Sequence, residues 1–393
     1  MRAVKTPSLR AAGRQALALA TRNQRKSTLR AIEPLSGDRW LGPVLPIVNP
    51  PLWELGHVGW FHERWCLREQ PEQPPAASIL PEADKLYDST PIEHHTRWGL
   101  PLVQPVPVLN YLDTVLDQSL SALDALTDDD PALYFHRLSL FHEMMHREAF
   151  CYTWQTHGYS PAQDLAEQRS LGQADWLDIG PDDVMVGSPP ETPFVFDNEK
   201  YGHRVSVDAF RISNQVVSAG EFAQFVLDGG YDHPEFWPAG LRLGKHELSS
   251  HSPRYWRVEG PDIQVRRFEH WAELQPNAPM THVSLYEAQA YCRWAGVSLP
   301  SEAQWLLAAR HAEFQWGDVW EWTSSPFEPL PGFSADPYKE YSAPWFYTHR
   351  VLKGASLATP AGMCDTRFRN YYEPHRADVF NGFRVVQSID PIT

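Results

Sequence analysis

His142-Glu143-Met144-Met145-His146 stands in the middle of a helix-forming run, Ala132 to Thr156, and decides how the first part of the chain is read. The i, i+4 spacing puts both imidazoles on one helix face, a turn apart, where they can chelate one ion. Glu143 lies about 100° off that face and reads as a structural or ligand-supporting group. Upstream, Thr127-Asp128-Asp129-Asp130-Pro131 breaks the chain after another helix, about Val108 to Leu126, with Leu109, Leu112, Val115, Leu116, Leu120 and Leu123 in one stripe. Two earlier helices cover about Leu9 to Ile32 and Leu52 to Arg68. The second follows Asn49-Pro50-Pro51, where Asn49 can cap and a proline in the first turn sacrifices no hydrogen bond. Four helices of similar length predict a bundle.

A third histidine completes the constellation. His57 sits in Trp53-Glu54-Leu55-Gly56-His57-Val58-Gly59-Trp60-Phe61, an apolar stretch with small residues on both sides of it. One reading makes it a core histidine. The other brings it opposite His142 and His146, as bundle metal sites are built from facing helices. Three neutral imidazoles would leave three octahedral positions open, which suits Fe(II) that must bind dioxygen and a substrate together.

Taken alone, H-E-x-x-H is also a zinc-peptidase signature. The extended form of that motif needs Gly and His where this chain has Ala149 and Tyr152, and it fails. A shorter form needs a Glu about 20 residues downstream; Glu167 lies near that distance, in a stretch that reads as loop.

After about residue 158 the texture changes to short β-type stretches, Asp183–Gly187, Arg204–Val207 and Phe210–Ile212, between Gly, Pro and Asn turns. Helical pieces at Ser218–Leu227 and Ser284–Ala295 interrupt them, and the C-terminal end reads as loop-rich and aromatic. The expected fold class is α+β, with a helical domain over 1–157 and a second domain over 158–393. The length of 393 residues agrees with two domains.

Composition narrows the function. A net charge of -15 argues against a nucleic-acid partner, and no apolar run is long enough to span a membrane. Cys66, Cys151, Cys292 and Cys364 form no disulfide framework, so a reducing, cytoplasmic setting is expected. The first 32 residues carry eight Lys or Arg and no acid, which fits a transit peptide or a basic helix face; the unbroken spacing of Leu17, Leu19, Leu29 and Ile32 favours the helix.

With these residues in hand, the chain resembles the ergothioneine-type sulfoxide synthases and their relative, selenoneine synthase. The bundle with its Leu-Gly-His-Val-Gly-Trp-Phe stretch and histidine pair is similar to that family's DinB-like four-helix domain. The rest resembles a formylglycine-generating-enzyme-like, C-type-lectin-related domain. Its blocks are Phe196-Asp197-Asn198-Glu199-Lys200, His282 to Ala288, Leu299 to Trp305, Gly317 to Thr323, Phe368-Arg369-Asn370 and Gly382-Phe383-Arg384. The active cysteine pair of formylglycine-generating enzymes is not matched, because only Cys364 falls in that region. The second domain is therefore expected to be a substrate platform.

The resemblance implies Fe(II) on His57, His142 and His146, O2 as co-substrate, and hercynine (Nα-trimethylhistidine) as the molecule modified at its imidazole C2. It implies substrate contacts from Asn370, Tyr371, Tyr372 and Arg376, and from Met145, Arg97 and Trp98. Aromatic faces suit a quaternary ammonium that cannot donate a hydrogen bond. Tyr338 and Tyr341 both lie near the family's proton-donating tyrosine, and spacing does not choose between them. Three departures bear on the donor. Tyr372 stands where bacterial ergothioneine enzymes have an Asp that, with the arginine matching Arg376, grips γ-glutamylcysteine. Met145 replaces a Gln, and the stretch Leu86 to Trp98 lacks an arginine-rich run. These favour a neutral selenosugar, hence selenoneine synthesis; a thiol donor is the close alternative, and a zinc peptidase or a non-catalytic sugar-binding module the distant ones.

Overall fold

A computed structural model describes residues 8–70, 72–162, 164–189, 191–241 and 251–389. It divides into two compact units. The first runs to Asp164 and takes back two short segments, Thr192–Phe194 and Pro360–Gly362; the second holds the rest.

The first unit is helical: α1 Arg14–Ile32, α2 Pro51–Cys66, the short α3 Ala83–Tyr87, α4 Pro105–Asp124 and α5 Leu133–His157. Helices α1, α2, α4 and α5 pack as the expected bundle, α2 against both α4 and α5, and α1 against the same two. Helix α4 keeps an amphipathic stripe, burying Val108, Leu112, Val115, Leu120 and Leu123, with Leu109 and Leu116 half-buried. Helix α2 does not. Every residue from Pro51 to Glu63 is buried, so its polar side chains Glu54, His57, His62 and Glu63 all need partners inside the protein.

Some expected boundaries shift for local reasons. The first helix begins at Arg14, not Leu9, because Leu9–Ala11 forms a separate 3-10 turn and Gly13 is extended. Arg14 N–H is then capped from afar by Asp128 Oδ1 at 2.8 Å. Asn49 does not cap α2: Pro50 holds that position, and Asn49 Oδ1 accepts from Arg97 Nη1 at 2.5 Å.

Among the described residues, the second unit mixes short strands with three α-helices, α6 Ala219–Leu227, α7 Leu285–Ala295 and α8 Glu302–Ala308. Ser218, Ser284 and Ser301 cap them, each in a reciprocal capping box with the residue three further on. Strand β4 Phe210–Ser213 pairs with β1 Trp176–Ile179 on one side and with the last strand, β12 Val386–Ser388, on the other, while β2 Asp182–Val186 pairs with β3 His203–Val207. A separate antiparallel meander is made by β5 Trp256–Glu259, β6 Asp262–Arg267 and β7 His270–Glu273.

The expectation of a loop-rich end is corrected here. Strands β8 Trp320–Pro326, β9 Arg350–Gly354, β10 Asn370–Tyr372 and β11 Asn381–Gly382 form a four-stranded sheet in the order β10-β9-β8-β11. Buried ion pairs tie its strands to neighbours: Arg384 with Glu321, and Arg369 and Lys353 with Glu302. Among the described residues no disulfide forms and no helix is long and apolar enough to cross a membrane.

Candidate metal centre

Helix α2 delivers His57 and α5 delivers His142 and His146, and the three imidazoles converge. His142 Nε2 lies 3.2 Å from the Nε2 of His57 and 3.2 Å from that of His146. This is the one His, Cys, Asp or Glu group among the described residues with metal-binding geometry, all its ligand atoms falling within 4.8 Å. The core-histidine alternative for His57 does not explain why its ring nitrogen faces two others.

The outer nitrogens decide the tautomers. His57 Nδ1 lies 2.8 Å from the Tyr87 carbonyl and His146 Nδ1 lies 2.7 Å from Glu54 Oε1. Carbonyl and carboxylate oxygens only accept, so both Nδ1 atoms carry a hydrogen, and each ring when neutral presents its Nε2 lone pair inward. Burial, then the neighbouring His146, hold the His57 and His142 rings well below the usual histidine range, so they are neutral. While the rings are neutral, His142 Nε2 can donate to at most one neighbour, so at least one of the two 3.2 Å contacts has no hydrogen bond to hold it. A cation resolves that conflict. A metal–imidazole bond of about 2.1 Å spaces adjacent ligand nitrogens roughly 3.0 Å apart in an octahedron and 3.4 Å in a tetrahedron. The 3.2 Å separations fall between the two, so the donor set fits a first-row metal.

Aromatic rings wall the ligands. Phe61 stacks on His142 at 3.5 Å between centroids, and Trp53 stacks on His57 at 5.0 Å. The Arg97 guanidinium lies 3.9 Å from the Trp53 ring centroid. Arg97 thus comes near the ligands through Trp53, and Met145 sits half-buried beside His146. Trp98 is directed elsewhere: its Nε1 donates to the Leu41 carbonyl at 3.1 Å and its ring packs edge-on against His94.

Glu143 is not part of the centre. Both its oxygens are held by buried Arg25, at 2.9 and 3.1 Å, which removes the free carboxylate that a zinc peptidase uses as its base. Glu167, the distant candidate ligand for that chemistry, is exposed and belongs to the second unit.

In the second unit, Asn370, Tyr371 and Tyr372 form β10, so Tyr371 faces away from its two neighbours. Tyr371 is corrected to a packing residue. Its ring stacks on Phe327 at 4.1 Å and its hydroxyl donates to the Tyr341 carbonyl, so neither is offered to a ligand. Tyr372 and Arg376 do meet, the guanidinium lying 5.2 Å from the ring centroid. Arg376 is also clamped by Asp378, with Nε and Nη2 at 2.6 and 2.7 Å from its oxygens. Of the two candidate tyrosines nearby, Tyr341 stacks on Phe196 at 4.6 Å.

Sequence reasoning missed Glu54, Tyr87 and Arg25. A carboxylate at Glu54, three residues before a histidine in an apolar helix, was a usable signal; the Tyr87 carbonyl left none.

A helical bundle bearing three inward histidines, followed by a mixed α+β unit, defines the class. Residues 20–157 match the DinB superfamily, and residues 173–318 and 315–389 match the sulfatase-modifying factor enzyme 1-like domain. The chain is 31% identical to the hercynine oxygenase of Mycolicibacterium smegmatis and 32% identical to that of Mycobacterium tuberculosis, each match covering 88% of this chain and 92% of the relative. The formylglycine-generating enzyme of Thermomonospora curvata is 32% identical over 34% of this chain and 49% of its own length. The chain belongs to the hercynine oxygenase family, the ergothioneine-type sulfoxide synthases.

Proposed function

We propose that this chain is an iron(II)- and O2-dependent oxidoreductase that takes hercynine and joins a chalcogen donor to C2 of its imidazole. The observation that carries the reading is the convergence of three Nε2 atoms, from His57, His142 and His146, with no carboxylate among them. Bound iron(II) supplies the means to activate dioxygen, and three protein ligands leave positions open for it. The chain's own contribution is to hold the ligand rings in one tautomer and to wall them with Trp53 and Phe61, which keeps water from their faces.

For the donor, family membership supports a thiol such as γ-glutamylcysteine or cysteine, giving a C–S bond. A second reading, a selenosugar donor with selenoneine as the product, is favoured by one observation. Arg376, the anchor expected for a charged donor, is already compensated by Asp378 and packs on Tyr372, a combination suited to the apolar face of a neutral sugar.

Anaerobic loading with Fe(II), addition of hercynine and each donor, then O2, tests both. A hercynine-derived product with the added mass of a donor is expected. No such product with any donor would overturn the proposal, and turnover with thiols alone would remove the selenium reading.

A further inference from the structure

Glu54 does something that neither the ligand set nor the family assignment requires. It is 1% exposed, in a helix buried on every side, and its Oε1 accepts the Nδ1 hydrogen of His146 at 2.7 Å. It lies three residues before His57, so the same face of α2 carries one metal ligand and the brace for a ligand on α5. The remaining braced ligand, His57, has a neutral partner, the Tyr87 carbonyl. The two outer contacts therefore differ in charge. A carboxylate behind an imidazole makes its other nitrogen a stronger donor, and it offsets part of a dication's charge in a site from which water is largely excluded.

We infer that Glu54 is a positioning residue: it locks His146 in the tautomer with Nδ1 protonated and strengthens the divalent-metal site through that ring. The inference rests on the three-histidine reading, and it concerns metal affinity and ligand field, which can be measured without turnover. Helix α5 is tied to α1 independently of this contact, by the buried ion pair of Glu143 with Arg25.

The test is anaerobic Fe(II) titration of the full chain, with the visible spectrum of the Co(II)-loaded form as a second readout. Glu54→Ala is expected to weaken Fe(II) binding by about 10–100-fold. Glu54→Gln keeps an acceptor without the charge, so it should fall between wild type and Glu54→Ala and shift the Co(II) bands. In a His146→Ala background, Glu54→Gln should have no further effect on affinity, because the brace then has nothing to hold. Wild-type affinity and an unshifted Co(II) spectrum in Glu54→Gln would overturn the inference, and that variant remains decisive should Glu54→Ala fail to fold. An equal loss in the presence and absence of His146 would overturn it too, by assigning Glu54 a general structural role. Failure of the wild-type chain to bind Fe(II) would instead sink the three-histidine reading.

Discussion

Arg25 and Glu143 form a buried two-point ion pair, Nε to Oε1 at 2.9 Å and Nη2 to Oε2 at 3.1 Å, that joins α1 to the helix bearing His142 and His146. The same guanidinium donates to the Leu112 carbonyl on α4 at 2.6 Å, so one side chain ties α1 to both α4 and α5. Removing one partner leaves the other as an uncompensated buried charge. Arg25→Ala should therefore lower stability by about 3–5 kcal/mol, while replacing both residues with Met should recover much of the loss. Urea denaturation of the single and double variants measures this. A Glu143→Gln chain of wild-type stability would contradict the structural role and reopen the peptidase reading.

Gly56 allows Tyr87 to lie against α2. A Cβ on Gly56 would stand 2.2 Å from the Tyr87 ring, far inside contact distance, and the Tyr87 carbonyl is the group that orients His57. Gly56→Ala must displace α3 or distort α2. The expected cost is about 1–3 kcal/mol of stability, together with weaker Fe(II) binding as the His57 Nδ1 contact lengthens. Thermal denaturation of the apo chain and Fe(II) titration read the two effects separately. An alanine variant unchanged in both would show that the Tyr87 contact does not support the site.

The legible parts of this protein are those with a long period. Histidines at i and i+4 on a 25-residue helix, and a third in an apolar helix rich in small residues, mark the centre because helical geometry converts spacing directly into proximity. The C-terminal sheet was not legible for the opposite reason. Strand β10 has three residues and β11 two, and β8 buries Trp320 to Thr323 consecutively, so no alternation distinguishes it from a loop. Helix α8 has seven residues, too short for a 3.6 period, although Ser301 and Gln304 carried a capping-box signal. Tyr371 was misread because an aromatic in a binding motif and an aromatic in a core look alike until strand register assigns each a face.

Two buried groups of the second unit give it opposing pH dependences. Burial pushes the His282 imidazole down to about 3, against the favourable pull of Asp378. The unfolded chain then takes up a proton near pH 6.5 that the folded one refuses, so this contribution falls as pH drops from about 6.5, by up to ~1.4 kcal/mol per unit. Asp197 is pushed up to about 6, by burial first, despite the Ser342 hydroxyl and with the nearby Asp336 adding to the rise. Its folded value lies above its unfolded one, so the folded state gains stability as pH drops from about 6 to about 4. Asp197→Asn should remove that gain and steepen the acid loss, whereas His282→Asn, with a residue that tolerates the left-handed backbone there (φ 63°), should flatten it. Urea midpoints between pH 4 and 8 carry the test, and identical slopes in all three chains would contradict both assignments.

His57 separates a three-ligand centre from a helical histidine pair. His142 and His146 share one helix and could chelate an ion weakly alone, as in any HxxxH. Loss of an outer partner costs about 10–100-fold in metal affinity, so loss of a ligand should cost at least ~100-fold. His57→Ala is therefore expected to carry little iron after desalting, with its helical signal intact. The truncation also opens a space between Trp53, Phe61 and the two remaining imidazoles, all of which contact the His57 ring. Millimolar imidazole should occupy it and partly restore Fe(II) binding in the variant without affecting the wild type. Retention of stoichiometric metal by His57→Ala, with no response to imidazole, would assign the site to the α5 pair alone and return His57 to the core.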